Sequence, residues 1–485
     1  MMQYFEWYLP SNQLLWRRVA AQAKELAANV INMIWLPPAY KGAAGAESVG
    51  YDVYDTYDLG EFDQKDTIAT KYGTKEEYID AVRTLQANGI EVLADIVLNH
   101  MMGADERQRI RVQEDDSGNR TKTISKGMKI SAWTRFTFPG RRGKYSGYTW
   151  NASNFSGTDW DDERKRSGIF RMRGKLWESL TDDENGNFDY LMGMNLDMEN
   201  PETVRAVTNW AKWYVDTVQM DGFRLDAVKH IKFTFYRDWL KELKAHMGRD
   251  CFAVGEYWSG DLGKLMYYLE KVEYQTALFD VPLHFHMLSA ATSNGGYDMS
   301  KLMKDTLVSK CPEYAVTFVD NHDTQPGQAL YSFIPTWFKQ HAYALILLQE
   351  KGIPCVFYGD YYGIPHDRIS PVAGLRVLCK VRKDYAYGEQ INYFDDFSTV
   401  GFVRCGDKEH ENSGLIVLMT DSIGGGRKLF VSKRFAGIPF YDILHPYNPP
   451  VVLDDDGYGM FYVDGGAVGV WIKEQVYEKL SIEYY

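Results

Sequence analysis

The chain has 485 residues, of which 45% are hydrophobic and 25% charged, so a mainly disordered or fibrous protein is excluded. The net charge of −12 argues against nucleic acid as a partner, because binding to a polyanion needs a basic surface. Aromatic residues reach 15%, and such an excess often lines grooves that bind the flat faces of sugars. We therefore expect a large globular protein with a neutral substrate.

The five cysteines are widely spaced and form no CxxC pair, which predicts neither a disulfide framework nor a zinc site. The chain starts MMQYFEWYLPS, without a basic segment, a long apolar run or a cleavage site. If Met1 is the native start, the sequence predicts a cytoplasmic protein. It also predicts no membrane partner, and we expect a monomer.

Short apolar runs that predict strands alternate along the chain with amphipathic stretches that predict helices. The predicted strands are QYFEWY (3–8), NVINMIWLPP (29–38), EVLADIVLNH (91–100), MDGFRLDAV (220–228), CFAVGEYW (251–258), TALFDVPL (276–283), YAVTFVDNH (314–322) and PCVFYGD (354–360). The clearest helical patterns cover 17–28, 204–219, 236–248 and 338–352. Eight strands with helices between them favour a (β/α)8 TIM barrel of the α/β class, with a doubly wound open sheet as the alternative.

Two regions interrupt this alternation. Residues 101–200 are rich in Gly, Asn, Asp, Trp and Tyr and are far longer than an ordinary strand-to-helix connection, which predicts an inserted domain after strand three. After about residue 392, period-two segments such as GLIVLMT and AVGVWIKE predict a C-terminal antiparallel β-sandwich domain. The predicted domains are therefore a barrel formed by 1–100 and 201–391, an insertion at 101–200 and a C-terminal domain at 392–485.

Charged residues follow several predicted strands at the end where barrel active sites lie. Arg224 and Asp226 point to the same face of strand four, Glu256 ends strand five, and Asp323 follows strand seven. A structural Arg224–Asp226 ion pair is the alternative explanation for the first two. Two carboxylates at one barrel mouth can perform acid-assisted displacement at a glycosidic carbon. Arg224 would keep Asp226 ionised, and crowded negative charge would raise the pKa of Glu256.

Four segments resemble the conserved regions of the alpha-amylase family of glycoside hydrolases, in the same order and spacing: DIVLNH (95–100), GFRLDAVKH (222–230), VGEYW (254–258) and FVDNHD (318–323). Other stretches, including WLPPAYKG, GTDWD and ENGNFDYLMG, are similar to the bacterial liquefying and cytoplasmic members of that family. The resemblance implies a central barrel, a domain B inserted after strand three and a C-terminal β domain.

The same resemblance implies roles for individual residues. Asp226 is expected to be the nucleophile that forms a covalent glycosyl-enzyme, Glu256 the general acid and then base, and Asp323 the group that stabilises the transition state. Expected substrate-binding residues are Tyr51, His100, Arg224, Lys229, His230, Trp258 and His322. Arg224 is expected to orient Asp226 as well.

A calcium ion that joins domain B to the barrel is also implied by the resemblance, since calcium prefers oxygen ligands. The matching ligands are Asn99, Asp189, Asn195 and the carbonyl of His230. Family members usually carry aspartate where this chain has Asn195, so we expect one weakly bound calcium ion. Liquefying members hold a further metal cluster, but Ser156 replaces one of its aspartates, which argues against that cluster here. Asn99 and Asp189 could instead cap loops.

The sequence therefore predicts an alpha-amylase that hydrolyses internal α-1,4 bonds of starch, glycogen or maltodextrins with retention of configuration. A transglycosylase or an oligosaccharide-specific glucosidase is the alternative within the enzyme class, because the same carboxylates serve both. A glucan-binding protein without activity is the alternative outside it. Such a protein would be expected to lack at least one of the three carboxylates, and this chain has all three.

Overall fold

A computed structural model describes residues 1–125 and 127–484, and its centre is a closed barrel of parallel strands. The barrel strands, numbered 1 to 8 in chain order, are Met2–Gln3, Met33–Leu36, Glu91–Ile96, Gly222–Leu225, Phe252–Gly255, Ala277–Phe279, Ala315–Phe318 and Ile353–Phe357. Each strand pairs with its neighbours in sequence, and strand 1 pairs with strand 8. The predicted TIM barrel is confirmed, and all eight strands lie within or next to the predicted segments.

Helices pack around the barrel and along its edges. The α-helices are Leu15–Ala28, Lys75–Ala87, Pro201–Val218, Phe233–Met247, Leu262–Lys271, Val281–Thr292, Leu307–Lys310, Lys339–Leu348, Tyr358–Tyr362, Leu375–Tyr385 and Glu474–Tyr484. The helix Lys75–Ala87 shows how local sequence sets a boundary, because Thr74 and Glu77 form a reciprocal capping box at its start. Its buried residues recur at helical spacing and face the barrel: Tyr78, Ala81, Val82 and Leu85.

The parallel register of the strands places several ionisable side chains at the same end of the barrel. Arg224 on strand 4 pairs with Asp95 on strand 3, and Leu225 pairs with Gly255 on strand 5. The residues that directly follow strands 4 and 5 are Asp226 and Glu256, so both emerge at the same rim. The carboxyl ends of these strands form the mouth of the barrel.

The predicted insertion after strand 3 forms a sheet of its own. Its strands are His100–Met101, Glu106–Asp115, Met128–Arg135, Phe155–Asp161, Arg166–Met172 and Met194–Leu196. They pair in an antiparallel arrangement, and a small apolar cluster around Val112, Ile130 and Phe170 packs on this sheet. The short strand Met194–Leu196 returns the chain toward the barrel and pairs with His100–Met101.

The C-terminal region is antiparallel, as predicted. One sheet contains Gln390–Tyr393, Thr399–Arg404, Leu415–Thr420, Val468–Lys473, Pro439–Asp442 and Val451–Val452, and a second pairs Gly425–Phe430 with Tyr458–Val463. A separate core between the two sheets includes Leu418, Phe461 and Trp471. The terminal helix Glu474–Tyr484 was not predicted. None of the helices in the described part of the chain has the length and apolar character needed to span a bilayer.

Candidate active site

A cleft of about 900 Å³ opens at the mouth of the barrel. Its lining includes the three predicted carboxylates, Asp226, Glu256 and Asp323, and five of the predicted substrate-binding residues: Tyr51, His100, Lys229, His230 and Trp258. The volume is in the range of small-molecule sites, and the lining combines apolar walls with a few convergent polar groups. Arg224 and His322, which were also predicted to bind substrate, are fully buried beneath the cleft.

Arg224 lies at the centre of the carboxylates. Its Nη1 donates to Asp95 Oδ1 at 3.0 Å and to Asp226 Oδ1 at 2.6 Å, and its Nη2 donates to Glu256 Oε2 at 2.6 Å. The guanidinium also lies over the ring of Trp35, 4.7 Å from its centroid. One arginine therefore fixes both predicted reacting carboxylates, as its planar fork of donors allows.

Asp95 belongs to this cluster but was not predicted as a site residue. It accepts hydrogen bonds from Trp35 Nε1 at 2.9 Å and from the Tyr51 hydroxyl at 2.7 Å, in addition to the bond from Arg224. The signal in the sequence was its position at the head of DIVLNH, in a buried strand where an ionisable side chain needs a partner. The partner is 129 residues away and is identified only by the strand register.

Burial dominates the electrostatics of the three carboxylates. It raises the pKa of Asp226 to about 6, although the Arg224 guanidinium acts in the opposite direction. Burial also raises the pKa of Glu256, with Arg224 lowering it and the charge of Asp226 raising it further. The pKa of Asp323 is raised well above its usual range by burial and by the charge of Glu256. The sequence had attributed the Glu256 shift to crowded charge, but loss of solvent is the larger cause.

The chain turns sharply after Asp226. Ala227 adopts a left-handed conformation with φ of 47°, and its backbone N–H donates to Glu256 Oε2 at 3.2 Å. Glu256 Oε2 therefore accepts from both Arg224 and Ala227. The proton of a neutral Glu256 accordingly belongs on Oε1.

A stack of aromatic rings forms one side of the cleft. The Tyr51 and His322 rings are stacked with centroids 4.9 Å apart, and Trp7 is parallel to His322 at 6.0 Å. Gln3 on strand 1 contacts His322 Nδ1 at 3.0 Å and fixes the imidazole. Burial and the nearby Arg224 hold the pKa of His322 well below its usual range, so its ring is neutral. Trp7 was missed as a site residue, although it lies within the first predicted strand, QYFEWY (3–8).

The opposite side of the cleft is formed by Lys229, His230 and Trp258. The Lys229 ammonium donates to the carbonyl of Trp258 at 3.1 Å and pairs with Glu184 at 2.9 Å. His230 Nδ1 lies 2.7 Å from the carbonyl of Phe188, and burial lowers the pKa of its ring to about 3. A cation and a neutral imidazole therefore face the cleft together.

The predicted calcium ligands lie close together and are joined by hydrogen bonds. Asn99 Nδ2 donates to the carbonyl of His230 at 3.1 Å, and Asn195 Nδ2 donates to Asp189 Oδ1 at 3.1 Å. Asn195 Oδ1 is buried and has no hydrogen-bond partner in the described part of the chain. All the candidate ligands are oxygen atoms, and this orphaned acceptor fits a hard cation. Only one of them is a carboxylate, and no group of three His, Cys, Asp or Glu residues suited to a metal lies among residues 1–125 and 127–484.

The residues next to this set, Ser156, Glu178 and Asp197, bear on whether the chain could hold the further metal cluster of the liquefying family members. The Lys175 ammonium pairs with Asp197 and donates to the carbonyl of Ser153 at 3.0 Å. Ser156 Oγ accepts from Asn195, and Glu178 accepts from two backbone N–H groups. A lysine ammonium thus supplies positive charge beside Asp197.

Comparison with known proteins identifies relatives over nearly the whole chain. Residues 24–384 match the family model described as alpha amylase, catalytic domain. The chain is 49% identical to an alpha-amylase of Geobacillus stearothermophilus, covering 97% of this chain and 86% of the relative. It is 47% identical to an alpha-amylase of Bacillus licheniformis, covering 98% and 93%. It is 41% identical to the cytoplasmic alpha-amylase of Escherichia coli (strain K12), covering 98% and 99%.

Solved structures share the fold. An alpha-amylase from Geobacillus thermoleovorans, complexed with acarbose, superposes with a TM-score of 0.62 at 19% identity, covering 95% of this chain and 92% of that one. An Anoxybacillus alpha-amylase superposes with the same TM-score at 18% identity, covering 94% and 90%. At these identities the likeness establishes the architecture.

Proposed function

The chain belongs to the alpha-amylase family of glycoside hydrolases, and we propose that it hydrolyses internal α-1,4-glucosidic bonds of starch, glycogen and maltodextrins with retention of configuration. The observation that carries the proposal is the single guanidinium of Arg224, which holds Asp226 and Glu256 side by side in the cleft. Retaining glycosidases have their two carboxyl groups about 5 to 5.5 Å apart, whereas inverting enzymes leave room for a water molecule between them. A shared guanidinium favours the shorter separation.

In the first step, an oxygen of Asp226 attacks the anomeric carbon while the bond to the leaving oxygen breaks. Arg224 occupies Asp226 Oδ1, so Oδ2 is the attacking atom. A pKa of about 6 leaves Asp226 mostly ionised at neutral pH, as a nucleophile requires. The product of this step is a glycosyl ester of Asp226.

Glu256 supplies a proton to the leaving oxygen in the same step. Burial and the charge of Asp226 raise its pKa, which favours the neutral form that donates this proton. In the second step, the ionised Glu256 takes a proton from water, the water oxygen bonds to the anomeric carbon, and the ester bond to Asp226 breaks. Two displacements at one carbon retain the α configuration.

Asp323 lines the cleft beside these two groups and is the third participant in the proposal. Asp323 would contact sugar hydroxyls while the transition state forms, and burial together with the charge of Glu256 raises its pKa. The ring of Tyr51 offers a flat surface under the sugar, and Lys229, His230 and Trp258 line the other side of the cleft. Both remaining predicted residues lie beneath the cleft, where His322 positions the ring of Tyr51 and Arg224 positions the carboxylates.

One calcium ion is also part of the proposal. Asn99, Asp189, Asn195 and the carbonyl of His230 would hold it, with both amides presenting oxygen, and it would supply charge that ties the insertion to the barrel. The support is the all-oxygen set and the orphaned Asn195 Oδ1. We infer no further metal cluster, since Lys175 supplies a positive charge beside Asp197.

The proposal is tested by following products from soluble starch and maltoheptaose. We expect a rapid spread of short maltodextrins, with α-anomers appearing first by proton nuclear magnetic resonance. Initial β-anomers would overturn the retaining mechanism. Longer oligosaccharides would indicate transfer, glucose alone would indicate exo action, and no turnover would indicate a binding protein.

A cytoplasmic location and a monomeric state complete the proposal. The location is supported by the cytoplasmic alpha-amylase of Escherichia coli, of which the chain covers 99%. Cell fractionation tests the location. Light scattering at several protein concentrations tests the oligomeric state.

A further inference from the structure

A second cavity lies at the opposite end of the barrel from the cleft. Its volume is about 660 Å³, and it is lined by Asn32 and Asn88, which precede barrel strands 2 and 3, and by Ile353 at the start of strand 8. The amino ends of parallel strands form the floor of the barrel, so this cavity is remote from the catalytic carboxylates. Its size suits a small-molecule ligand.

The charged lining of this cavity is mainly basic. Arg382, Lys383 and Arg404 line it together with one acidic residue, Glu350, although the chain as a whole carries a net charge of −12. Neither Arg382 nor Arg404 forms an ion pair with a carboxylate in the described part of the chain. A local excess of positive charge in a concave, partly desolvated site attracts anions.

Arg404 is buried and Arg382 is half-buried, and both donate to backbone carbonyls. Arg382 Nη1 donates to Leu347 O at 2.5 Å, and Arg404 donates to Leu348 O at 3.2 Å and to Gly388 O at 3.1 Å. Burial and the neighbouring Arg404 lower the pKa of Arg382, which reflects two guanidinium groups held close together. Such an arrangement is costly unless a negative charge compensates it.

Capping of a helix end explains part of this arrangement. Leu347 and Leu348 end the helix Lys339–Leu348, and arginine commonly caps free carbonyls there. A guanidinium carries five N–H donors, however, and only one hydrogen bond from Arg382 is used in this way. Gln349, which also lines the cavity and is only 4% exposed, has a buried side-chain nitrogen without a hydrogen-bond partner among the described residues. Arg382 and Gln349 therefore both have donors left over.

We propose that this cavity binds a small oxyanion of the phosphate class, either free phosphate or the phosphate group of an ester. Arg382 and Arg404 would supply planar N–H pairs to its oxygens, and Gln349 would donate a neutral hydrogen bond. Asn32 and Asn88 line the cavity and suit the hydroxyl groups of an ester. The inference is independent of the proposed reaction, because none of these residues lines the cleft.

The test is calorimetric titration of the full chain with inorganic phosphate, in a buffer that contains a calcium chelator so that calcium phosphate does not form. We expect saturable binding with one phosphate per chain and none with sodium chloride of equal ionic strength. Arg382→Gln should weaken the affinity at least tenfold. Arg376→Gln is the matched control, because Arg376 lies on the same helix but outside this cavity and pairs with Glu25 at the surface.

The absence of saturable binding, or equal affinities for Arg382→Gln and Arg376→Gln, would overturn the proposal. Starch hydrolysis without phosphate checks folding, since Arg382→Gln should leave it unchanged. If Arg382→Gln does not fold, Gln349→Leu decides, with a weaker affinity expected. A sugar phosphate that binds at least tenfold more tightly than inorganic phosphate would identify an ester as the ligand, and equal or weaker binding would identify the free anion.

Discussion

Two buried ion clusters at the ends of barrel strands have similar compositions but different surroundings. In the first, Arg224 contacts Asp95, Asp226 and Glu256 at the mouth of the barrel. In the second, the Lys339 ammonium lies between Asp320, which follows strand 7, and Asp360. Each cluster has one cation, an excess of carboxylates and almost no solvent exposure.

The difference lies in how many carboxylate oxygens are left without a partner. Asp320 accepts from Thr324 and Ile334 as well as Lys339, and Asp360 accepts from Tyr343 at 2.7 Å. The reacting carboxylates of the first cluster instead line the cleft. Composition and burial therefore do not distinguish a catalytic cluster from a structural one, whereas oxygens left available to a ligand do.

The largest expected effect separates activity from stability in the first cluster. Asp226→Asn should lower kcat on maltoheptaose by about 10⁴-fold or more, because the nucleophile is lost. The melting temperature should stay within a few degrees of wild type or rise, since Arg224 keeps Asp95 and Glu256 as partners. Reducing-end assays and circular dichroism measure the two quantities. A variant that retains normal turnover would contradict the assignment of Asp226.

The second cluster should respond in the opposite way. Asp320→Asn should lower the free energy of unfolding by about 3 kcal/mol, because it removes one carboxylate from a buried ammonium. The kcat of the folded variant should remain within about threefold of wild type. Urea denaturation gives the stability, and initial rates at low temperature give kcat. A large fall in kcat without destabilisation would place Asp320 in the reaction and remove the contrast.

Asp95 should show an intermediate effect, because it positions Arg224 without lining the cleft. We expect Asp95→Asn to lower kcat about 10²-fold with little change in KM, since misplacement of the reacting groups acts on the chemical step. The acid limb of the pH profile should also move to lower pH, because the negative charge of Asp95 raises the pKa of Asp226. A destabilised protein with normal kinetics in its folded fraction would instead indicate a purely structural role.

The pH dependence of activity tests how far burial raises the pKa of Asp226. Asp226 must be ionised to attack, and its pKa is raised to about 6, so on the acid side of the profile kcat/KM should fall about tenfold per pH unit below that value. Initial rates on a short maltodextrin between pH 4 and 8 measure this limb. An acid limb centred near pH 4 would mean that the Arg224 guanidinium lowers the pKa of Asp226 by as much as burial raises it.

The smallest expected effect concerns the proposed calcium site, in which Asp189 is the only carboxylate among the proposed ligands. Asn195→Asp should raise calcium affinity about tenfold, because it adds a negative charge to a set that holds only Asp189. Thermal unfolding with a chelator and at graded calcium concentrations measures this affinity without reference to activity. Ser153→Asp, a surface change near the site, is the control for general charge. Equal calcium dependence in wild type and Asn195→Asp would argue against a cation at this position.

Much of the architecture was predictable because it depends on local patterns. Alternating apolar and amphipathic segments identified every barrel strand, and composition identified the region of the inserted sheet. The terminal helix Glu474–Tyr484 was missed. The predicted helix 338–352 ends earlier, at Leu348, because the next residue, Gln349, adopts an extended backbone conformation.

The sequence by itself determined the (β/α)8 barrel and the presence of Asp226, Glu256 and Asp323 near strand ends, since strand period and strand direction are local properties. The tertiary structure decided which of these groups share a partner. Arg224 meets Asp95 across 129 residues, and this contact follows from the parallel register of the closed barrel. Burial, which sets the pKa values, likewise depends on every segment that packs over the cleft and cannot be assigned to one stretch of sequence.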